Sequence, residues 1–232
     1  MKLSIIIPVY NEMNTIQKIL KKIEDIHDIK KQIIVIDDGS TDETFNLIQN
    51  FKFESEYKLI KHKINSGKGA GIKSAIDFIS GDIVIIQDAD LEYDPKDYKE
   101  VIGPIIQNKS KIVYGSRVLN KKRYDQLNFI SNFRIFCNHF LTIITNLLYA
   151  QNLTDAHTCY KAFDTDIFKQ VNLKEKDFAF CPEVTAKISK LGFKIIEVPI
   201  NYIGRNYNEG KKISFYDGLR AIFILFKYRL LN

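Results

Sequence analysis

Short apolar runs alternate with amphipathic stretches along the first half of the chain. The runs are rich in isoleucine and valine, and turn or acidic residues follow each of them, which is typical of buried parallel strands. Apolar residues between the runs recur at spacings of three and four, which predicts helices that pack against a sheet. The alternation therefore predicts an α/β fold with a doubly wound, mostly parallel sheet flanked by helices. The predicted strands are Leu3–Ile7, Ile33–Ile36, Ile83–Ile86 and Ile112–Tyr114.

The second half of the chain is less regular and predicts mainly helices. Phe129–Tyr149 has the pattern of one long helix, and Pro182–Leu191 has that of a shorter helix before a strand at Phe193–Pro199. Phe215–Leu230 predicts an amphipathic helix with basic residues beside its apolar stripe. Such a helix can lie in the headgroup plane of a membrane, or it can pack against the sheet or against a second subunit in a homodimer.

Length and composition fit one domain with a C-terminal appendage. Of the 232 residues, 1–212 are predicted to form the domain and 213–232 a helix that contacts a membrane surface or another subunit. Hydrophobic residues make up 45% and charged residues 27%, which excludes wholesale disorder. The net charge of +6 suits a nucleotide, a phospholipid surface or nucleic acid. Three widely spaced cysteines argue against a disulfide framework or a zinc ribbon and favour a reducing cytoplasm.

Two aspartates after the strand Ile83–Ile86, Asp88 and Asp90, carry the strongest chemical signal in the sequence. Carboxylates this close repel each other unless a cation lies between them. Mg²⁺ and Mn²⁺ prefer oxygen ligands and bind through one or two carboxylates together with substrate phosphates. The pair therefore predicts a divalent metal held against a diphosphate, with Glu92 as an additional ligand. The alternative is a solvated acidic turn.

Two further segments could contact a nucleotide. Asp37 and Asp38 end a predicted strand, where a carboxylate could accept hydrogen bonds from a ribose or a base, or could cap the next helix. Lys68 lies in the glycine-rich run Ser66–Gly71, which departs from the Walker pattern because Gly69 replaces a serine or threonine. Lys68 could neutralise a phosphate, and the alternative is a tight turn with a solvated lysine.

These segments together, in this order, resemble family 2 glycosyltransferases with the GT-A fold, a Rossmann-like sheet flanked by helices. The resemblance is specific over residues 1–120 and looser from there to about residue 212. The dolichyl-phosphate mannose synthase-like branch is the most similar subgroup. The matching motifs are Pro8-Val9-Tyr10-Asn11-Glu12, Asp37-Asp38-Gly39-Ser40, Asn65-x-Gly67-Lys68-Gly69, Asp88-Ala89-Asp90, Gly115-Ser116-Arg117 and Glu197-Val198-Pro199-Ile200.

The resemblance implies an inverting transfer of a hexosyl group from a nucleotide sugar, such as a GDP- or UDP-sugar, with Mg²⁺ or Mn²⁺ as cofactor. It assigns Asp88, Asp90 and Glu92 to the metal. It also gives Arg117 and Lys68 the role of stabilising the departing nucleoside diphosphate, so that Arg117 and Asp90 count as catalytic. The residues that would hold the nucleotide sugar are Pro8, Tyr10, Glu12, Asp37, Asp38, Lys68, Asp88, Ala89 and Arg117.

The acceptor decides whether the reaction needs a general base. The subgroup resemblance implies a lipid phosphate such as a polyprenyl phosphate, which is already an anionic nucleophile, whereas a hydroxyl acceptor such as diacylglycerol needs a base. Asp155 is the candidate base, and the alternative is that it caps a turn. Thr154–Lys161 departs from the Thr-Ser-Gly-Phe-Arg-like run of the subgroup, which keeps the hydroxyl acceptor open. The candidate acceptor contacts are His157, Arg205, Lys211 and Lys212.

A lipid acceptor implies that the enzyme works at a membrane surface. We therefore expect peripheral association with the cytoplasmic face of a membrane through Phe215–Leu230, with a second contact from Phe129–Tyr149. A module that binds a nucleotide or nucleic acid without turnover is the alternative from another class. We expect no nucleic-acid partner, because the sequence has no basic run interleaved with aromatic residues and no RNA-binding motif.

Overall fold

One mixed sheet forms the centre of the computed structural model, which describes residues 1–119, 129–205 and 215–231. The strands are β1 (Leu3–Val9), β2 (Lys31–Asp37), β3 (Glu56–Lys61), β4 (Ile83–Ile86), β5 (Ile112–Ser116), β6 (Lys161–Asp164) and β7 (Ile196–Pro199). They lie in the order β3-β2-β1-β4-β6-β5-β7, and every pair is parallel except those that β6 makes with β4 and β5. The expected mostly parallel α/β sheet is therefore confirmed.

Helices pack against this sheet and against one another. The α-helices are α1 (Ile16–Glu24), α2 (Thr44–Gln49), α3 (Lys68–Ala75), α4 (Tyr98–Ile106), α5 (Phe129–Tyr149), α6 (Thr165–Gln170), α7 (Phe180–Lys190) and α8 (Phe215–Leu230). Helix α3 contacts β1 and β2, α4 contacts β5, β6 and β7, and the helices α5, α7 and α8 contact one another. The three helices predicted in the second half of the chain are confirmed, with α7 displaced by one or two residues.

The carboxyl ends of β1, β2, β4 and β5 meet at one edge of the sheet, which we call the rim. They meet there because these strands run in the same direction. The antiparallel strand β6 begins at this edge, so the loop of residues 154–160 also reaches the rim. Strand β7 is parallel to β5 and ends beside it, which brings residues 200–205 to the same place. The topology thus gathers six segments of the chain around the rim.

Two strands, β3 and β6, were not among the predicted ones. Strand β3 lies at the exposed edge of the sheet and alternates charged with apolar residues, so it lacks a buried apolar run. Strand β6 has only four residues, and one of them is the fully buried Lys161. Lys161 donates to the carbonyl of Ala156 at 2.8 Å and lies 3.5 Å above the ring of Tyr114, which explains how β6 accommodates a lysine.

Among the described residues, two hydrophobic clusters hold the sheet and the helices together. The larger one fills the space around the central strands with branched aliphatic side chains, such as Ile5, Ile34 and Ile85, which have no exposed surface. The smaller one joins α5, α7 and α8 through residues that include Ile224 and Leu225. Helix α8 is therefore docked on the rest of the protein, and the proposed boundary at residue 212 lies outside the described residues.

Helices α5 and α8 also carry apolar side chains that face solvent. In each helix they follow the spacing i, i+4, i+7 and i+11, which forms a narrow stripe. We call them the apolar stripes: Phe136, Phe140, Ile143 and Leu147 on α5, and Leu219, Phe223, Phe226 and Leu230 on α8. Within the described part of the chain, no helix has both the length and the hydrophobicity to cross a membrane.

Two of the three basic side chains of α8 bind acidic groups of the same chain. Arg220 lies 2.5 Å from Asp177 and 3.4 Å from Glu175, and Lys227 lies 2.7 Å from Glu175. These ion pairs tie α8 to the segment that precedes α7. Two of the basic residues that were expected to face a membrane are thus already neutralised.

Candidate active site

Lys68 binds the first carboxylate of the Asp88 and Asp90 pair. Its Nζ lies 2.5 Å from Asp88 Oδ1 and 3.0 Å from the sulfur of Cys159. Burial lowers the pKa of Lys68, but the charge and the hydrogen bond of Asp88, together with Cys159 and Cys181, outweigh burial and raise the pKa well above its ordinary value, so the ammonium stays charged. Gly67 makes this placement possible, because its φ is 96° and a Cβ there would lie only 2.5 Å from a backbone oxygen.

Arg205 joins carboxylates from two strand ends. Its Nη1 and Nη2 lie 3.1 and 3.2 Å from the oxygens of Glu12, which follows β1, and Nη2 lies 2.9 Å from Asp90. Its backbone N–H donates to Glu92 at 2.7 Å. Burial, followed by repulsion from Asp88 and Glu92, raises the pKa of Asp90 to about 7. The rim therefore concentrates negative charge that a cation stabilises.

The side chains of the rim fit a divalent metal that arrives together with a phosphate ligand. Asp88 and Asp90 offer oxygen ligands, and their charges are balanced by Lys68 and Arg205. No three His, Cys, Asp or Glu side chains of the described residues converge as a complete metal cage. Mg²⁺ commonly binds through one or two carboxylates and completes its shell with phosphate oxygens and water, so an incomplete cage suits this chemistry.

The two aspartates at the end of β2 have different surroundings. Asp38 accepts the backbone N–H groups of Ser66 and Gly67 at 2.9 and 2.7 Å and lies 2.6 Å from the Nδ1 of His62, so it fixes the glycine loop. Asp37 is fully buried, and neither of its oxygens has a hydrogen-bond partner among the described residues. A buried carboxylate in this state is costly, so a ligand that donates hydrogen bonds would stabilise it.

The remaining residues predicted for the nucleotide sugar lie at the same edge. Pro8 lies near the end of β1, Tyr10 follows that strand, and Ala89 is buried after β4. The side-chain oxygen of Asn11 accepts the backbone N–H of Thr41 at 2.8 Å, which ties the segment after β1 to the segment after β2. The structure brings the predicted segments together, and the role of each residue in binding stays a prediction.

Arg117 and Asp155 form a buried ion pair. Arg117 Nε and Nη2 donate to the two oxygens of Asp155 at 2.7 and 2.8 Å, and the backbone N–H of Arg117 donates to the same carboxylate at 3.1 Å. Burial raises the pKa of Asp155, but the charge and the hydrogen bonds of Arg117 outweigh burial and hold the pKa below its ordinary value. Asp155, the candidate base, is thus ionised and bound to Arg117, the residue that was predicted to stabilise the diphosphate.

The predicted acceptor residues occupy different places. His157 has a buried Nε2 without a partner in the described residues, and burial, followed by repulsion from Lys161, lowers its pKa to about 4. Its imidazole is therefore neutral at pH 7. Arg205 contacts the rim carboxylates, as described above, so it lies at the predicted metal ligands. Lys211 and Lys212 lie outside the described residues.

One residue that supports the turn of Asp88 and Asp90 was not predicted from the sequence. Gln87 is fully buried, and its side-chain oxygen accepts the hydroxyls of Tyr98 and Tyr160 at 2.8 and 2.6 Å. Its amide donates to the backbone oxygen of Asp88 at 2.9 Å, which fixes the start of the turn. The signal in the sequence is a polar residue directly after a buried apolar run, since a polar side chain there needs hydrogen-bond partners.

Comparison with known proteins identifies the family. The family model for glycosyl transferase family 2 matches residues 4–171, well over half of the chain. The chain belongs to glycosyltransferase family 2. The expected resemblance is confirmed, and the protein is a glycosyltransferase.

Relatives of this glycosyltransferase include enzymes that act on lipid phosphates. The UDP-N-acetylglucosamine–dolichyl-phosphate N-acetylglucosaminyltransferase of Methanococcus voltae is 29% identical, over 97% of this chain and 95% of that protein. The dolichol-phosphate mannosyltransferase of Pyrococcus furiosus is 26% identical, over 98% of this chain and 64% of that protein.

Solved structures support the fold. Glucosyl-3-phosphoglycerate synthase from Mycobacterium tuberculosis, in complex with Mg²⁺ and UDP, superposes with a TM-score of 0.72 at 17% identity, over 100% of this chain and 80% of that one. The same synthase with Mn²⁺, UDP and glucosyl-3-phosphoglycerate gives a TM-score of 0.70 at 17% identity, over 100% of this chain and 81% of that one. The expected GT-A fold of this glycosyltransferase is therefore confirmed.

Proposed function

We propose that this glycosyltransferase moves a hexosyl group from a GDP- or UDP-sugar to a lipid phosphate such as a polyprenyl phosphate, with inversion and with Mg²⁺ or Mn²⁺. The observation that carries the proposal is the pairing of Asp88 and Asp90 with Lys68 and Arg205 at the rim. A departing diphosphate needs cations close to it, and a metal needs carboxylates. The names of the two relatives support the lipid-phosphate acceptor, and that of the M. voltae enzyme supports a UDP-sugar.

The nucleotide would lie over the ends of β1 and β2. Asp37 would accept hydrogen bonds from the ribose or the base, which would satisfy a carboxylate that lacks a partner in the described residues. Asp38 would act indirectly, because it holds the glycine loop that presents Lys68. Pro8 and Tyr10 would line the same end of the sheet.

Asp88 and Asp90 would hold the metal. Glu92 is a weaker candidate ligand, because its oxygens already accept from Tyr202 at 2.8 Å and from the backbone of Arg205 at 2.7 Å. When bound, the metal would supply electrostatic stabilisation of the diphosphate as a leaving group. Lys68 and Arg205 would then be released from the carboxylates, and their positive charges would become available to phosphate oxygens.

The transfer needs one bond to form and one to break. An oxygen of the acceptor phosphate attacks the anomeric carbon from the face opposite the diphosphate, while the bond from that carbon to the diphosphate oxygen breaks and the nucleoside diphosphate leaves. The acceptor is already anionic, so no proton has to be removed. This mechanism suits Asp155, whose oxygens are both bound by Arg117, whereas a hydroxyl acceptor would first require Asp155 to leave Arg117.

Such an acceptor has to be met at a membrane surface, and we assign this contact to the apolar stripes of α5 and α8, on the cytoplasmic face. Their side chains expose much of their surface, from 42% for Ile143 to 80% for Leu147. Burial of one Leu or Phe side chain is worth about 1.5–3 kcal/mol. Arg220 and Lys227 contribute less than the sequence predicted, because both are paired within the chain. Binding should therefore depend more on apolar burial than on anionic lipid.

A thermal-shift screen of nucleoside diphosphates and their sugars with Mn²⁺ tests the donor and the metal together. The correct nucleotide should raise Tm with Mn²⁺, and EDTA should abolish the shift, because Asp88 and Asp90 repel a bare diphosphate. Slow hydrolysis of the sugar nucleotide distinguishes an enzyme from a binding module, which would bind oligonucleotides in a salt-dependent manner without turnover. A shift that survives EDTA would contradict the metal assignment.

A further inference from the structure

The carboxylate of Glu197, in the strand that pairs with β5, holds the segment that carries Asp155. Glu197, in β7, accepts the backbone N–H of Thr154 at 2.6 Å, the hydroxyl of Thr154 at 2.8 Å and the backbone N–H of Asp155 at 2.8 Å. The hydroxyl of Thr154 also lies 2.7 Å from the hydroxyl of Ser116, which precedes Arg117. The turn at Asp155 is thus fixed to both β5 and β7.

Asp155 directs both of its oxygens at Arg117. Three N–H groups of Arg117 donate to them, and the residue is only 4% exposed. A general base needs an oxygen within hydrogen-bond reach of the proton that it removes, and a pKa near the working pH. The geometry of Asp155 instead matches the bidentate pairing of a carboxylate with a guanidinium.

This pairing fixes the direction of the guanidinium. Nε and Nη2 of Arg117 face Asp155, and the ring centre of Tyr202 lies 5.1 Å from Cζ. Nη1 is the guanidinium nitrogen that Asp155 does not bind. An arginine that is held in advance does not have to be ordered when charge develops on a phosphate, which preserves its contribution to the rate.

We propose that Asp155 and Glu197 are positioning residues that hold Arg117 in the orientation in which it stabilises the departing diphosphate, and that neither removes a proton. The inference rests on the proposed glycosyl transfer, because Arg117 acts on the charge that develops in that reaction. Asp155 acts directly on Arg117, and Glu197 acts through Asp155. The effects of substitution should therefore decrease in that order.

A double-mutant cycle on kcat tests whether Asp155 acts through Arg117. Asp155→Asn should lower kcat by about ten- to a hundredfold with little change in the KM of the donor. In the Arg117→Gln background the same substitution should cause no further loss, because its target is already gone. If Asp155 were a base, the two losses would multiply, and the acid limb of the kcat pH profile would disappear in Asp155→Asn.

Glu197→Gln tests the second step and has a matched control. Glu24 is buried, whereas Glu197 is half-buried, but Glu24 likewise accepts two backbone N–H groups and a hydroxyl, from Glu54 and Ser55, and it lies away from the rim. Both Gln variants should lose a similar amount of stability, because each loses a carboxylate acceptor. Only Glu197→Gln should lower kcat per folded molecule, by about three- to tenfold. An equal kcat in the two variants would overturn the role of Glu197.

Failure of the proposed function can be told apart from failure of this inference. If the wild type turns over none of the GDP- and UDP-sugars, the proposed function fails. The same cycle is then measured on the Kd of Mn²⁺·UDP and Mn²⁺·GDP. Losses in affinity that do not add would support the action of Asp155 through Arg117, and losses that add would overturn it.

Discussion

The rim and the apolar stripes differ in how their side chains are satisfied before a ligand binds. At the rim, charged groups are largely buried, and each of three cations binds a carboxylate of the same chain. On the stripes, large apolar side chains such as Phe223 and Leu147 are exposed, and nothing in the described residues covers them. A ligand at the rim therefore has to exchange partners, whereas a surface against the stripes only adds contacts.

This difference has consequences for what limits affinity in the two regions. Breaking the ion pairs at the rim reduces the binding free energy of the metal and the diphosphate. The rim therefore selects ligands that supply a cation to the carboxylates and an anion to Lys68 and Arg205. The stripes gain free energy in proportion to the apolar area that is buried, which depends little on salt or on the charge of the lipid. Substitutions in one region should accordingly leave the other unchanged.

The largest effect is expected for Asp90→Ala. Loss of a predicted metal ligand should lower the turnover of the sugar nucleotide by about a thousandfold or more, because the charge of the leaving diphosphate is no longer stabilised. Binding to vesicles should not change. The control is Asp28→Ala, which removes an exposed carboxylate paired with Lys99 away from the rim. Turnover that survives in Asp90→Ala would remove this residue from the metal site.

The next largest effect is expected on the stripes. Replacing Phe223 and Phe226 by serine should lower the affinity for vesicles, measured by flotation, by about tenfold per residue. Donor turnover in detergent should stay at the wild-type level. Neutral and anionic vesicles should bind to similar extents at low and high salt. Arg220→Gln combined with Lys227→Gln serves as the control, because both side chains are already paired. If the protein bound only anionic vesicles and lost this binding at high salt, the basic side chains would contribute more to membrane binding than the apolar stripes.

A smaller and opposite effect is expected for Arg205→Gln. Removing a cation that competes for Asp90 should tighten the binding of Mn²⁺ alone by about tenfold, measured from the free Mn²⁺ signal by electron paramagnetic resonance. Arg220→Gln also removes one positive charge, but far from the carboxylates of the rim, and should leave Mn²⁺ affinity unchanged. Weaker Mn²⁺ binding in Arg205→Gln would mean that Arg205 stabilises the metal site and does not compete with the metal for Asp90.

The last effect concerns the stability of the fold and not the binding of a ligand. The pKa of His157 is lowered to about 4 in the folded chain. In the unfolded chain this imidazole therefore binds a proton near pH 6.5, whereas in the folded chain it stays neutral at that pH. This contribution to stability is present above pH 6.5 and is lost as the pH falls toward 4. His157→Gln should therefore reduce the loss of stability between pH 6.5 and 4 by about 1–3 kcal/mol in urea titrations. An unchanged pH dependence would place His157 in contact with solvent.

The rim could be predicted from the sequence, and its ion pairs could not. Parallel strands end at one edge, so residues that follow buried apolar runs were expected to meet, and they do. Which cation binds which carboxylate depends on contacts between distant segments, since Arg205 and Asp90 are 115 residues apart and Arg117 and Asp155 are 38 apart. No local pattern specifies such pairs.

The same limit applies to α8 and to β6. The amphipathic pattern of α8 predicted a helix, but it did not indicate that Ile224 and Leu225 would dock on α5 and α7 while Phe223 and Phe226 face solvent. Strand β6 was not predicted, because its four residues include a lysine whose burial depends on the carbonyl of Ala156 and the ring of Tyr114.

The most direct test is the chemical identity of the product. The full-length protein is incubated with Mn²⁺, the radiolabelled donor from the thermal-shift screen, and polyprenyl phosphate in detergent. We expect the label to move into the organic phase, to be released by mild acid as a glycosyl phosphate would be, and to have the anomeric configuration opposite to that of the donor. Label that stays in water, that resists mild acid, or that retains the donor configuration would contradict inverting transfer to a lipid phosphate.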